Sequence, residues 1–228
     1  MQERELRELL ATSCRILYRL GLSDYLGHPS VRVPGTDRVL IKPKHSPTVR
    51  RLDDMTPERM VAIDLDGNLL EGDEQPPSER FIHTEIYRAR PDVVSVVHTH
   101  QPISTLCGVV GLEILPLMHV QAALVERPVP TYPHAFLITD SRLGREVAAA
   151  LGDHPVCHLQ GHGIVAVGDS IQEATVAAIH LEQLAEMNFR AAQTGRAPRP
   201  IPPEDIARLR TQLAPLAGRW AYYADLVG

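Results

Sequence analysis

The chain has 228 residues, of which 44% are hydrophobic and 22% are charged, so it is long and apolar enough to bury a hydrophobic core. Its 23 Lys and Arg residues nearly balance its 28 Asp and Glu residues, and a net charge of −5 is typical of neither a nucleic-acid binder nor a membrane-surface binder. The longest apolar runs, such as residues 93–97, are far shorter than the roughly 20 residues of a membrane helix, and the first residues do not resemble a signal peptide. We therefore expect one domain over residues 1–228, located in the cytoplasm.

Cysteine and histidine usage narrows the chemistry further. The three cysteines, Cys14, Cys107 and Cys157, are far apart and odd in number, which fits neither a disulfide framework nor a Cys-x-x-Cys metal site. We expect them to be small buried hydrophobic residues. Histidine is more informative, because the chain has eleven and imidazole is the commonest transition-metal ligand in proteins.

The first half of the chain alternates short strands with helices. Apolar residues recur three and four positions apart over residues 2–20, which predicts an amphipathic helix ending at Gly21. Short strands are predicted over residues 30–33, 39–42, 60–64 and 68–70, the last two joined by a turn at Asp66-Gly67. A basic loop covers residues 43–52, and a helix is predicted over residues 80–90. The β-branched run 93–97 is typical of a strand buried on both faces.

The second half continues the same alternation and ends in an aromatic cluster. Ser141 is predicted to cap a helix that ends at Leu151, and Ser170 with Glu173 forms a capping-box pattern before the longest helix, which ends near Gly195. Strands are predicted over residues 156–159 and 163–167. The C-terminal part, residues 196–228, is predicted to be a proline-rich connector, a helix over residues 204–213, and a tail that carries Trp220, Tyr222 and Tyr223.

Three histidines form the strongest candidate site. His98 and His100 follow the predicted strand 93–97, and residues i and i+2 of a strand point to one face, so the two imidazoles lie side by side. His162 lies between two glycines at another strand boundary, where the backbone can approach closely. Three histidine ligands with one open position are typical of a catalytic metal site. The alternative is a set of solvated or core histidines without a metal.

Glu79 is a second candidate, because it begins the helix that precedes the His-x-His strand. A carboxylate at that place can act as a catalytic acid or base. The alternative is that Glu79 only stabilises the helix, since acidic residues are favoured in the first turn by the helix dipole. Position alone leaves both interpretations open.

Read together, these motifs resemble those of a known family. Its pattern is a Ser-Glu before a helix, a His-x-His nineteen residues later and a His-Gly far downstream. The matching segments are Pro77-Ser78-Glu79, His98-Thr99-His100, Gly161-His162-Gly163 and Asp64-Leu65-Asp66-Gly67. The chain is similar in these segments to the class II aldolase and adducin-like family, from the first helix to the long helix after Ser170.

The resemblance implies a fold, a metal site and an assembly. The fold is a three-layer α/β/α arrangement with a central mixed sheet. A divalent metal is held by His98, His100 and His162, and Glu79 is the catalytic residue. The family commonly forms a homotetramer with active sites between subunits, where C-terminal residues reach a neighbouring pocket. We therefore expect the tail to close that pocket and Tyr222 to contact the substrate.

The chain departs from the sugar-phosphate aldolases of this family where they bind phosphate. They use Gly-Asn, a Ser/Thr-Gly after Ile-Thr-Pro, and Ser-Ser, whereas this chain has Gly27-His28, Lys44-His45 and Pro77-Ser78. We expect the substrate-binding residues to be His28, Lys44, His45 and Ser78, with the basic ones neutralising carboxylates. The alternative for the basic loop is a set of solvated surface cations, namely Lys42, Lys44 and Arg50.

A further departure concerns the reaction itself. The aldolases carry a proton-donating tyrosine after a Pro-x-x-His segment, but here His119 is followed by Val120, which has no proton to give. The segments 79–83 and 86–91 resemble instead the decarboxylase branch, such as the 3,4-dihydroxyphthalate decarboxylases. In both reactions a metal stabilises negative charge on an oxygen, and we expect Glu79, protonated by burial, to deliver a proton to carbon.

These observations predict a carbon–carbon lyase with a small-molecule substrate. The leading hypothesis is a metal-dependent decarboxylase of a hydroxylated aromatic acid, and the alternative is a sugar-phosphate or sugar-acid aldolase or decarboxylase. A third hypothesis, a non-catalytic adducin-like interaction module, is disfavoured because such members typically lack the metal histidines. We favour zinc as the metal, although three imidazoles also suit iron, manganese or cobalt.

Overall fold

The computed structural model describes residues 2–213 and 216–228. Within these ranges the chain forms helices and strands in alternation. The helices are α1 (Glu3–Arg19), α2 (Arg80–Ala89), α3 (Pro102–Val110), α4 (Ser141–Leu151), α5 (Ile171–Gln193), α6 (Pro203–Gln212) and α7 (Leu216–Asp225). The strands are β1 (His28–Arg32), β2 (Val39–Ile41), β3 (Val61–Ile63), β4 (Leu69–Glu71), β5 (Ser95–Thr99), β6 (Thr131–Tyr132), β7 (Val156–Leu159) and β8 (Gly163–Gly168).

The strands form one mixed sheet in the order β4-β3-β2-β1-β5-β8-β7-β6. Neighbouring strands are antiparallel except for β6 and β7, which are parallel. The strand β5 lies in the middle of the sheet, and all five of its residues are buried. In this register His98 is paired with His28 on β1 and with Val165 on β8. The sheet therefore places a histidine of the His-x-His motif at the centre of the protein.

Successive strand residues point to opposite sides of the sheet, and apolar residues lie on both sides, so helices cover both faces. On one face Val97 belongs to a core that includes Leu10 of α1 and Leu181 of α5. On the other face Val96 belongs to a core that includes Ile82 of α2 and Val147 of α4. The structure thus confirms the predicted three-layer α/β/α arrangement. The three cysteines are buried and free, as predicted.

Several local predictions are corrected by the structure. The central strand begins at Ser95 rather than residue 93, because a turn at Pro91 and Asp92 precedes it. The cap of α4 is Asp140, whose Oδ1 accepts the Leu143 amide at 2.9 Å. The Ser141 hydroxyl donates instead to Glu85, so Ser141 is the first helical residue and not the cap.

Three elements were not predicted from the sequence: α3, the two-residue strand β6 and α7. The tail residues Trp220 and Tyr223 belong to α7 and pack against the core beneath it, with the Tyr223 hydroxyl 3.4 Å from Gln183 Nε2. Across the described ranges, no helix has both the length and the apolar composition required to cross a bilayer.

Candidate metal centre and its pocket

The three predicted metal ligands are brought together by the middle of the sheet. His98 lies within β5 and His100 just after it, while His162 lies in the tight turn between β7 and β8, where its amide donates to the Leu159 carbonyl at 2.9 Å. A Cβ on Gly163 would lie 2.2 Å from the Thr99 carbonyl oxygen. A glycine is therefore required for the turn to approach β5, as the flanking glycines of His162 predicted.

Glu79 lies immediately before α2, in the layer of helices on one face of the sheet, and its side chain joins the histidines there. The ligand atoms of Glu79, His98, His100 and His162 all lie within 4.8 Å of one another. His98 Nε2 is 3.0 Å from His100 Nε2, and Glu79 Oε2 is 3.4 Å from His162 Nε2 and 3.9 Å from His98 Nε2. This is one cluster of four side chains with the donor atoms turned toward a common point.

The hydrogen bonding of the imidazoles fits a divalent metal. The Nδ1–H of His98 donates to the Ile164 carbonyl at 2.9 Å, so its Nε2 carries the lone pair that a metal ligand needs. Both ring nitrogens of His162 are buried without a hydrogen-bond partner among the described residues. Burial and the neighbouring imidazoles lower the pKa of His98 and the pKa of His100. The donor nitrogens of the three histidines therefore converge on one point, which is the arrangement that a bound cation requires.

Glu79 is ionised in this arrangement, which corrects the expectation that burial keeps it protonated. Burial does raise the pKa of Glu79, but contact with His162, the charges of His98 and His162, and the Ile138 amide outweigh burial and lower that pKa to about 2. The Ile138 N–H donates to Glu79 Oε1 at 2.9 Å, which leaves Oε2 facing the histidines. In the free site Glu79 is therefore a proton acceptor.

A cavity of about 260 Å³ opens beside the cluster and contains most of the predicted substrate-binding residues. Its wall includes His28, Lys44, His45 and Ser78, together with Glu79 and His100. Lys44 and His45 are exposed, and the His45 ring lies 4.8 Å from the ring of Tyr25. The structure thus brings these four predicted residues to one pocket beside the cluster of Glu79 and the three histidines.

Lys42 also lines this pocket, and it is not the solvated surface cation that the sequence allowed. Its residue exposure is 2%, and its Nζ donates to the Tyr25 carbonyl at 3.1 Å. Burial lowers the pKa of Lys42. The sequence signal was its position on the strand side of the basic loop, directly after the apolar residues of β2. A buried ammonium with one backbone partner gives the pocket a positive wall.

His28 lies in the pocket wall, but the structure does not support the expectation that it is a cation. Burial, followed by repulsion from His83 and His98, lowers its pKa well below the usual value for histidine. Its Nδ1 lies 2.7 Å from Nε2 of His83, a buried residue of α2 that sequence reasoning did not select. His83 in turn contacts Ser30, and Ser30 contacts Tyr87. The pattern that could have found them is the buried face of α2, where His83 and Tyr87 lie four positions apart.

Tyr222 is not part of the pocket of its own chain. It lies on α7 with 62% exposure and is not among the residues that line the cavity. Its neighbours Trp220 and Tyr223 pack on the core of their own chain, so these two aromatic residues do not close a neighbouring pocket. Tyr222 remains available to a second subunit.

Comparison with known proteins relates this site to a family. The chain matches the Class II Aldolase and Adducin N-terminal domain over residues 8–189. A 3,4-dihydroxyphthalate decarboxylase of Arthrobacter keyseri is 35% identical over 213 residues, which cover 89% of this chain and 85% of that protein. A 5-methylthioribulose-1-phosphate/5-deoxyribulose-1-phosphate aldolase of Rhodospirillum rubrum is 32% identical over 206 residues, covering 90% and 89% of the two chains.

A solved structure agrees with this relationship. The crystal structure of an aldolase II superfamily protein from Pseudomonas syringae superposes with a TM-score of 0.85 and 25% identity, over 99% of this chain and 93% of that one. The resemblance inferred from the motifs is confirmed, and so is the expectation of a lyase, because decarboxylases and aldolases both belong to that class.

Proposed function

Because the chain belongs to the class II aldolase and adducin family, we propose that it is a metal-dependent decarboxylase of a hydroxylated aromatic acid such as 3,4-dihydroxyphthalate. The observation that carries the proposal is that the candidate metal ligands and a positively charged wall lie at the same pocket. The His/Glu cluster lies at one side of the cavity, and a wall with Lys42 and Lys44 lies at another. The identity with the Arthrobacter keyseri decarboxylase supports the same reaction.

The pocket favours a substrate with more than one negative group. Lys42 is buried and Lys44 is exposed at the pocket rim, so both can attract carboxylates, and the buried charge does so in a medium of low dielectric. The loop has lost the backbone-exposing glycine with which the sugar-phosphate aldolases of the family bind phosphate. Charged side chains suit carboxylate groups on a flat ring, and Ser78 adds a hydroxyl at the same wall.

Three imidazoles suit zinc, which we favour over iron, manganese or cobalt. When bound, such an ion supplies positive charge that stabilises negative charge on a substrate oxygen. Glu79 then transfers the proton. Its Oε2 accepts the proton of a ring hydroxyl and returns it to the ring carbon as the bond to carboxylate breaks and carbon dioxide leaves. The proton moves from oxygen to carbon, and the negative charge of the carboxylate ends on the ring oxygen.

We propose further that the protein is a homotetramer with active sites between subunits. The support within this chain is Tyr222, an aromatic residue that is exposed on α7 while its neighbours are packed. Tyrosine is favoured at interfaces because it joins an apolar ring to a polar tip. In the assembly, Tyr222 would complete the pocket of an adjacent subunit.

The proposal is tested with zinc-loaded protein and two groups of substrates. One group contains dihydroxybenzene carboxylates, including 3,4-dihydroxyphthalate, and the other contains ketose phosphates. Release of carbon dioxide from the first group alone is the expected result, and the His162→Ala protein is the control for metal dependence. Release of an aldehyde from the second group alone would favour the aldolase alternative, which the Rhodospirillum rubrum relative supports and Val120 argues against.

A further inference from the structure

A chain of buried polar groups leads away from the pocket into the layer between α2 and the sheet. His28 Nδ1 lies 2.7 Å from His83 Nε2, His83 Nδ1 lies 2.6 Å from Ser30 Oγ, and Ser30 Oγ lies 2.7 Å from Tyr87 Oη. His83, Ser30 and Tyr87 are each no more than 1% exposed. We refer to these four residues as the His28 relay.

We infer the direction of each hydrogen bond in the relay by starting at Tyr87, the residue farthest from the pocket. Among the described residues, Ser30 Oγ is the side-chain partner of the Tyr87 hydroxyl, at 2.7 Å, and a buried hydroxyl gives its hydrogen to an acceptor, so we infer that Tyr87 donates to Ser30. The Ser30 hydroxyl must then give its own hydrogen elsewhere. The Val96 carbonyl lies at 3.5 Å, at the limit of a hydrogen bond, whereas His83 Nδ1 lies at 2.6 Å. Ser30 therefore donates to His83 Nδ1.

A neutral imidazole that accepts at one nitrogen carries its hydrogen on the other. Since His83 accepts at Nδ1, it donates from Nε2 to His28 Nδ1 across 2.7 Å. His28 then carries its own hydrogen on Nε2, the ring nitrogen that the relay leaves free. Because His28 borders the cavity, that N–H is available to a ligand there.

We propose that Tyr87, Ser30 and His83 are positioning residues that hold His28 as an Nε2–H donor to an anionic oxygen of the substrate. Without the relay, a histidine in this wall can present either a donor or a lone pair, and a lone pair repels a carboxylate oxygen. A fixed donor therefore selects substrates with an acceptor at this point of the pocket. The inference rests on the proposed function for the identity of that acceptor, a carboxylate oxygen of a hydroxylated aromatic acid.

The tautomer can be observed directly in the wild-type zinc protein. Neutron diffraction from crystals exchanged into D₂O locates deuterium on ring nitrogens. We expect deuterium on His28 Nε2 and on His83 Nε2, with His28 Nδ1 bare. Deuterium on His28 Nδ1 would mean that the relay runs the other way and would overturn the proposal.

Steady-state kinetics with 3,4-dihydroxyphthalate tests the consequence for the substrate. His83→Leu removes the donor to His28, so His28 no longer keeps its hydrogen fixed on Nε2 and its hydrogen bond to the substrate carboxylate is weakened. We expect KM to rise by about ten-fold or more, with a smaller change in kcat. His83→Gln places an amide N–H near the position of Nε2 and should restore KM. Equal KM values for the two variants would contradict a positioning role.

The matched control is Ser95→Ala. The Ser95 hydroxyl is buried and donates to the backbone carbonyl of Ser30 at 2.7 Å, so the variant loses a hydrogen bond on the same pair of strands but keeps every side-chain hydrogen bond of the relay. We expect its KM to stay near that of the wild type. If the zinc protein does not act on 3,4-dihydroxyphthalate at all, the proposed function fails, while the neutron map still decides the direction of the relay.

Discussion

Replacing Glu79 with glutamine separates proton transfer from metal binding. In the structure Glu79 Oε1 accepts the Ile138 amide and Oε2 faces the imidazoles of His98 and His162. A glutamine can keep the bond to Ile138 through its own oxygen, but the other atom becomes an NH₂ group that cannot accept a proton. We therefore expect Glu79→Gln to keep bound metal, since the three histidines are unchanged.

The expected loss of turnover follows from the role assigned to Oε2. A positioned acid or base contributes roughly 10²- to 10⁴-fold to a rate, so kcat should fall by that factor. The assay is carbon dioxide release from 3,4-dihydroxyphthalate at saturating substrate, with metal content measured on the same sample by mass spectrometry. Turnover near that of the wild type would show that Glu79 is only the residue before a helix.

A matched control lies within α2, the helix that follows Glu79. Glu85 is also a buried glutamate, but it contacts Ser141 at 2.6 Å and lies on the side of α4. Glu85→Gln removes an equally buried carboxylate outside the cluster. A comparable loss of kcat in Glu85→Gln would mean that the Glu79 effect comes from disturbed packing of α2 rather than from lost proton transfer.

Three further predictions concern the metal, the tail and acid stability. His162→Ala should lose stoichiometric metal, because two imidazoles form too weak a site; full metal content by mass spectrometry would remove His162 from the ligand set. Tyr222→Ala should raise KM while changing the free energy of unfolding by less than about 0.5 kcal/mol, whereas Tyr223→Ala, which empties a packed position, should cost about 3 kcal/mol in urea unfolding. An unchanged KM in Tyr222→Ala would exclude this residue from the pocket. Burial lowers the pKa of His158 from 6.5 to about 4, so the unfolded chain takes up a proton first and stability is lost as pH falls from 6.5 toward 4. His158→Leu should abolish about 3 kcal/mol of that loss, and equal pH dependence of unfolding in both proteins would contradict it.

The sequence by itself determined most of the helices and strands and the membership of the cluster. Hydrophobic periodicity predicted α1, and the end of α4 and both bounds of β7 agree with those predicted. The β-branched run before His98 indicated a central strand, and two glycines around His162 indicated a close backbone approach. These signals are local, because they depend on spacing along one segment and on residue types with few conformational alternatives. Motif order then added the family, which comparison confirmed.

Only the tertiary structure decided the electrostatic state of the site. Whether Glu79 is protonated depends on the Ile138 amide and His162, which lie 59 and 83 positions away in sequence. Lys42 is buried because the segment that contains Tyr25 packs over it and accepts its Nζ–H at the Tyr25 carbonyl. Burial lowers the pKa of His28, and the register of β1 and the packing of α2 lower it further by placing His98 and His83 against it. Charge, protonation and hydrogen-bond direction are set by neighbours across layers, and no spacing along the chain encodes which neighbours those are.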